Sequence, residues 1–110
     1  MVSENYKNKM KESIKEKFSA MGIDDEETIN ELIEVSVMSV EDELSKIEEI
    51  LESGNLDQLG FHTHTIKGVL LNVGLNEDAE GFKEIKHLFD EGKTEEEIKE
   101  ITKQRLSIFY

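Results

Sequence analysis

The sequence predicts an all-α protein, an antiparallel up-and-down four-helix bundle carrying one additional N-terminal helix. Three observations lead there. Apolar residues recur every three or four positions through five segments. Each segment is closed by turn residues, most often a glycine. The connections are short, which makes consecutive helices antiparallel neighbours. At 110 residues and 36% hydrophobic, the chain has apolar material for one core, so residues 1–110 are expected to form a single domain.

The first segment places Tyr6, Met10, Ile14, Phe18 and Met21 near i+4 spacing after a Ser3 cap, and Gly22 offers a left-handed stop. Asp24 is expected to cap a longer helix over roughly residues 25–52, with Ile29, Leu32, Ile33, Val37, Val40, Leu44, Ile47 and Leu51 in helical period before Ser53-Gly54. The third segment spans about Leu56 to Val73 and stops at Gly74. Asn76 is expected to cap the fourth, which carries Ala79, Phe82, Ile85, Leu88 and Phe89 before Gly92. Thr94 and Glu97 spell a capping box ahead of Ile98, Ile101, Leu106 and Phe109. The β-branched cluster Val35, Val37 and Val40 lies inside the second helix's pattern and does not make a strand.

Composition removes several classes of function. Cysteine is absent, which excludes a disulfide framework, a thiolate nucleophile and a thiolate zinc site. Twenty-six acidic residues against thirteen Lys and Arg give a net charge of −13, which repels a phosphate backbone and argues against nucleic acid as a ligand. No apolar run approaches the ~20 residues of a membrane span, and the start of the chain lacks the apolar stretch of an export signal. A cytoplasmic protein without a membrane contact is expected. The acidic blocks Asp24 to Glu27, Glu41 to Glu43 and Glu95 to Glu97 read as solvated helix starts and faces.

One stretch breaks the charge pattern. Gln58 to Asn76 holds no acidic residue, and its only formal charge is Lys67. On a helical wheel Leu56, Leu59, Thr63, Ile66, Leu70 and Val73 form one seam directed at the core. His64 stands about 130° from the centre of that seam and His62 about 70°, so His64 is the exposed histidine and His62 a flank residue that packs or hydrogen bonds. Gly60 and Gly68 lie one turn to either side of His64. Each mid-helix glycine costs about 0.5–1 kcal/mol relative to alanine, so the pair points to close approach by another molecule. Lys67 reaches over the same face, and Phe61 and Leu71 add apolar surface beside it.

An uncrowded imidazole with a cation one turn away and no carboxylate beside it suits a nucleophile that takes up a phosphoryl group. Near neutral pH an exposed histidine is largely neutral and has a ring lone pair for attack, and the phosphorylated product is an anion that a lysine can offset. At these residues the sequence resembles the histidine-containing phosphotransfer (Hpt) domains of two-component phosphorelays. That family's motif is a histidine, any residue, an aliphatic residue, Lys and Gly, with a further Gly six positions on. Here it reads His64-Thr65-Ile66-Lys67-Gly68, then Gly74, and Asn72 falls where many members have Asn. The likeness runs from about Asp25 to Phe89. Val69, Leu70 and Leu71 stand where small residues commonly follow Lys-Gly, and Thr63 where many members have Ala.

The resemblance implies that His64 is the phospho-acceptor, Lys67 the phosphate-stabilising cation, and Gly68 the opening through which a receiver domain approaches. Gly60, Phe61 and Leu71 complete the expected docking face. By the same resemblance the protein is a phosphoryl carrier and not an enzyme, without a cofactor of its own. Mg²⁺ is expected on the partner receiver domain, the partners being response-regulator receivers or a hybrid histidine kinase. A monomer is expected.

Other readings are open at this stage. A helical adaptor could bind a receiver or kinase through Phe61 and Leu71 without being phosphorylated, though it would not need His64. The phosphotransfer module of a chemotaxis-type histidine kinase is a further alternative. Metal binding is disfavoured, because His62 and His64 are two apart and point away from each other on a helix, where zinc ligands prefer i and i+4. Hydrolysis lacks a serine elbow, a phosphate-cradling loop and an acid in the third helix. His87 reads as structural or solvated.

Overall fold

A computed structural model describes residues 2–110, apart from the side chains of Glu84, Lys86 and Phe89. The expected core position Phe89 therefore lies outside the described residues. Five helices account for the fold: α1 over Glu4–Ala20, α2 over Glu26–Ser53, α3 over Leu59–Asn72, α4 over Asn76–Asp90 and α5 over Glu95–Leu106. Single 3-10 turns, Leu56–Gln58 and Ser107–Phe109, precede α3 and follow α5. Among the described residues there is no strand, and no helix is long and apolar enough to cross a membrane.

The ends of the helices follow local chemistry. The Ser3 side chain accepts from the Tyr6 amide at the start of α1, and Thr94 Oγ1 accepts from the Glu97 amide at 3.2 Å while its hydroxyl donates to Glu97 Oε1 at 3.1 Å. Gly22, Gly54, Gly74 and Gly92 all have φ between +74° and +85°, the left-handed conformation that closes a helix. Two boundary expectations need correction. The cap of α2 is Asp25 and not Asp24: Asp25 is the extended residue, its carboxylate accepts from the Glu27 amide, and Thr28 Oγ1 donates to it at 2.7 Å. That Thr28 bond is the leading reason the Asp25 carboxyl is held below its ordinary range. Asn76 is the first helical residue of α4 rather than its cap, since the Ala79 amide already bonds to the Leu75 carbonyl. The third segment opens with a 3-10 turn capped by the Asn55 side chain before it becomes α-helical.

Apolar residues from all five helices meet in one cluster. Every member of the α3 seam, Leu56, Leu59, Thr63, Ile66, Leu70 and Val73, is buried. The helix packs on one side against α4 and on the other against α2, while α1 packs on α2 and α5 on α4. Met21, expected to continue the α1 stripe, is 61% exposed, because the helix has ended and the residue belongs to the turn. At the opposite end of α1 the two chain termini are tied together. The Ser3 amide donates to the Phe109 carbonyl at 2.7 Å, and the Tyr6 and Phe109 rings meet edge to face at 4.8 Å. Tyr6 donates its hydroxyl to Asp78 Oδ2 at 2.8 Å, and burial, followed by that carboxylate, pushes the phenol well above its usual range.

The α3–α4 turn carries the tightest packing of any glycine. Gly74 has φ +85°, and a Cβ there would sit 3.0 Å from Ser13 Oγ, which itself donates to the Val73 carbonyl at 2.6 Å. An L-residue in this conformation costs about 1–2 kcal/mol before any contact is considered. Gly74→Ala should therefore lower the unfolding free energy in urea by at least that amount, and an unchanged midpoint would show that the turn relaxes freely.

Candidate functional site

The burial of the seam fixes which way the rest of α3 points. His64 is exposed on the face turned outward and toward α4, with Gly60 and Gly68 a turn to either side. A Cβ built on either glycine would meet nothing within 4 Å, so the space around the imidazole is open in both directions along the helix. No steric demand inside the fold requires glycine at these two positions, and neither has a positive φ. Phe61, at 65% exposure, and Leu71, at 42%, lie on the same outer arc, with Val35 and Met38 exposed on α2.

His62 occupies the other flank and has a different environment. Its Nδ1 lies 2.5 Å from Glu43 Oε2 on α2, and the two side chains are 15% and 10% exposed. Glu43 also has Lys46 Nζ 3.7 Å from its second oxygen. The expectation that residues 41–43 form a solvated face thus fails at Glu43, which is buried because α3 supplies it with a partner. A buried carboxylate in a short hydrogen bond ties His62 to α2, so the two histidines of the His-Thr-His stretch have different surroundings.

Thr63, between them, is buried, and its hydroxyl donates to the Leu59 carbonyl at 2.9 Å, with the Gly60 carbonyl at 3.2 Å. This internal bond lets a polar residue take a core position where a small apolar one would also fit. Of the bulky residues after Gly68, Leu70 is fully buried and Val69 half-buried, so only Leu71 of the three is exposed.

A cleft of about 300 Å³ opens beside His64, between α3 and α4. Gly60, Thr63, His64 and Lys67 line it from α3; Phe82, Lys83, His87 and Asp90 line it from α4. The α4 wall was not identified from sequence. Residues 83, 87 and 90 do fall within about 60° of one another on a wheel, a signal that they share a face. What the wheel leaves open is which neighbouring helix that face meets, and this depends on how α3 and α4 pack. Two expectations change accordingly. His87 is exposed, as a solvated histidine should be, yet it lines the cleft of His64, and Asp90 brings a carboxylate to a setting read as free of acids.

Among the described residues neither Lys67 nor Lys83 takes part in an ion pair, in contrast to Lys9, which is held by Asp78 at 2.8 Å. No group of three or more His, Asp or Glu side chains among the described residues is arranged to hold a metal ion. The arrangement is an exposed imidazole beside the ammonium groups of Lys67 and Lys83, over buried Thr63 and Phe82.

Comparison with known proteins fits this arrangement. A family model, described as the Hpt domain, matches residues 31–107. Neither curated proteins nor solved structures gave a match. The matched stretch covers well over half of the chain and includes all of α3, α4 and α5. Hpt domains are phosphocarrier modules that work with receiver domains and kinases in phosphorelays. The chain belongs to the Hpt domain family, the phosphotransfer modules of two-component signalling.

Proposed function

We propose that His64 carries a phosphoryl group between the aspartates of receiver domains, with Lys67 offsetting the charge of the phosphorylated ring. The observation that carries this reading is an exposed imidazole bracketed by two glycines whose Cβ positions are empty, on the helix that bears the family's His-to-Gly motif. A ring nitrogen of His64 attacks the phosphorus of a receiver's aspartyl phosphate. The N–P bond forms as the O–P bond breaks, and the bonding electrons return to the aspartate carboxylate. Transfer onward is the reverse at a second receiver.

In this reading the protein holds a positioned nucleophile, and the receiver brings the remaining catalytic groups together with its Mg²⁺. The protein then needs no kinase or hydrolase site and no cofactor of its own. Gly60, Phe61, Gly68 and Leu71 form the docking face, extended by Val35 and Met38 on α2, and the exposed apolar surface of these side chains supports that assignment. Residues 1–110 act as one domain, since Val2, Tyr6 and Phe109 share the core with α3. Helices α2 to α5 make an up-and-down four-helix bundle with α1 laid against it, a reading supported by the packing of each helix on its sequence neighbour. A cytoplasmic monomer is the setting that suits such a carrier.

The direct test is incubation with a phosphorylated receiver, followed by detection of acid-labile, base-stable phosphate on the protein. His64→Gln should abolish labelling, while His62→Gln should retain it, because His62 is occupied with Glu43. Label lost only from the His62 variant would reverse the assignment, and a wild-type protein that binds the receiver but takes no label would make it an adaptor.

Gly68 separates stability from transfer. Glycine in a helix interior costs about 0.5–1 kcal/mol, and a side chain at Gly68 meets nothing within 4 Å. Gly68→Gln should therefore keep or raise the unfolding midpoint in urea while transfer falls tenfold or more, since the new side chain stands one turn from His64 on the docking face. Normal transfer by this variant would show that the receiver does not approach across Gly68.

A further inference from the structure

The cleft beside His64 contains more cationic and donor groups than an acceptor histidine and one lysine require. Its α4 wall offers Lys83 and His87, four residues apart on one face, and Asp90 three residues beyond. The volume of about 300 Å³ exceeds what a phosphoryl group occupies, and the floor beneath it is closed by buried Phe82 and Thr63. Thr63 has already committed its hydroxyl to the Leu59 carbonyl. The groups left to meet an anion there are therefore the ammonium groups of Lys67 and Lys83 and a ring N–H of His87. In a chain with twice as many acidic as basic residues, two lysines without an ion pair among the described residues facing one cleft are a concentration of positive charge.

We propose that the phosphoryl group on His64 is held in this α3/α4 cleft, between Lys67 on one helix and Lys83 and His87 on the other. This rests on His64 being the acceptor, and it assigns Lys83 and His87 as positioning residues that act on the phosphorylated state. Asp90 opposes them. Its carboxylate raises the energy of the phosphoryl anion in the cleft, so the balance of the four α4 and α3 groups sets how readily the phosphoryl group is given up. Removing either sign of charge must then move the phosphorylation equilibrium in opposite directions, which a purely structural role for these exposed side chains would not do.

The equilibrium can be read without a partner by loading the full chain with phosphoramidate. The His64 ring nitrogen forms the new N–P bond, the donor's P–N bond breaks, and ammonia leaves, taking up the imidazole proton as ammonium. At a fixed ratio of phosphoramidate to ammonium, ³¹P NMR gives the ratio of phosphorylated to free His64. Exposed charge pairs predict that Lys83→Gln lowers this ratio about two- to fivefold and that His87→Gln lowers it less. Asp90→Asn should raise it, and Lys83→Arg should restore the wild-type value. A ratio unmoved in Lys83→Gln and Asp90→Asn, or shifted in the same direction by both, would overturn the cleft assignment while leaving His64 as acceptor. A wild-type protein that shows no phosphohistidine signal, or a signal that persists in His64→Gln, would overturn the acceptor and the cleft together.

Discussion

The rotation of α3 about its own axis is the constraint on which the rest of the structure depends. Six positions, from Leu56 to Val73, are buried in a single seam, and a helix so anchored cannot turn without bringing Lys67, His64 or Gly68 against the core. Burial of aliphatic side chains such as Leu59, Ile66 and Leu70 stabilises by roughly 1.5–3 kcal/mol each, far more than any polar contact on the outer face contributes. The hydrophobic effect therefore orients His64, the proposed nucleophile, although no apolar residue of the seam touches solvent on that face. His62 adds a directional restraint on the α2 side through Glu43, which is a second reason for a histidine two residues from the one that remains free.

Much of this was legible in the sequence because it rests on periodicity, which is a local property. The seam, the outward face of His64, the flank position of His62 and the four helix-closing glycines all follow from 3.6 residues per turn and the permissiveness of glycine at positive φ. Partners from distant parts of the chain were not legible. Glu43 sits in an acidic block that looks solvated, and its pairing with His62, nineteen residues away, joins Lys46 in offsetting its burial. Lys83, His87 and Asp90 present the same difficulty. Their common face on α4 can be drawn on a wheel, but the cleft they line exists only once α4 is packed against α3. The misplaced cap of α2 has a simpler origin. Asp24 and Asp25 are adjacent residues with identical capping chemistry, and the Thr28 hydroxyl that favours Asp25 is itself three residues on.

The glycines show how stability is distributed between structure and exposed surface. Gly74 is required by its backbone conformation and by Ser13, which occupies the space a side chain would need. Gly60 and Gly68 are helical, face empty space, and make the third helix weaker than alanine at those positions would. Two residues of the same type thus carry opposite meanings, and the difference rests on φ and on the distance to the nearest atom. A helix that gives up about 1–2 kcal/mol over two positions remains folded because its seam is buried against two neighbours.

The charge of the whole chain and the charge at the cleft pull in different directions, and distance decides which prevails. A net charge of −13 is spread over an elongated molecule 47 Å long, and at physiological ionic strength its effect fades over about 8 Å. Within the cleft the relevant groups are the two lysines, His87 and Asp90, which line one space of about 300 Å³ beside buried Phe82 and Thr63. The acidic exterior can therefore discourage nucleic acids without opposing the phosphoryl anion proposed at His64. The proposed phosphoryl transfer depends on this separation of scales: the long-range field is screened, and the short-range one is set by a few side chains that two packed helices bring together.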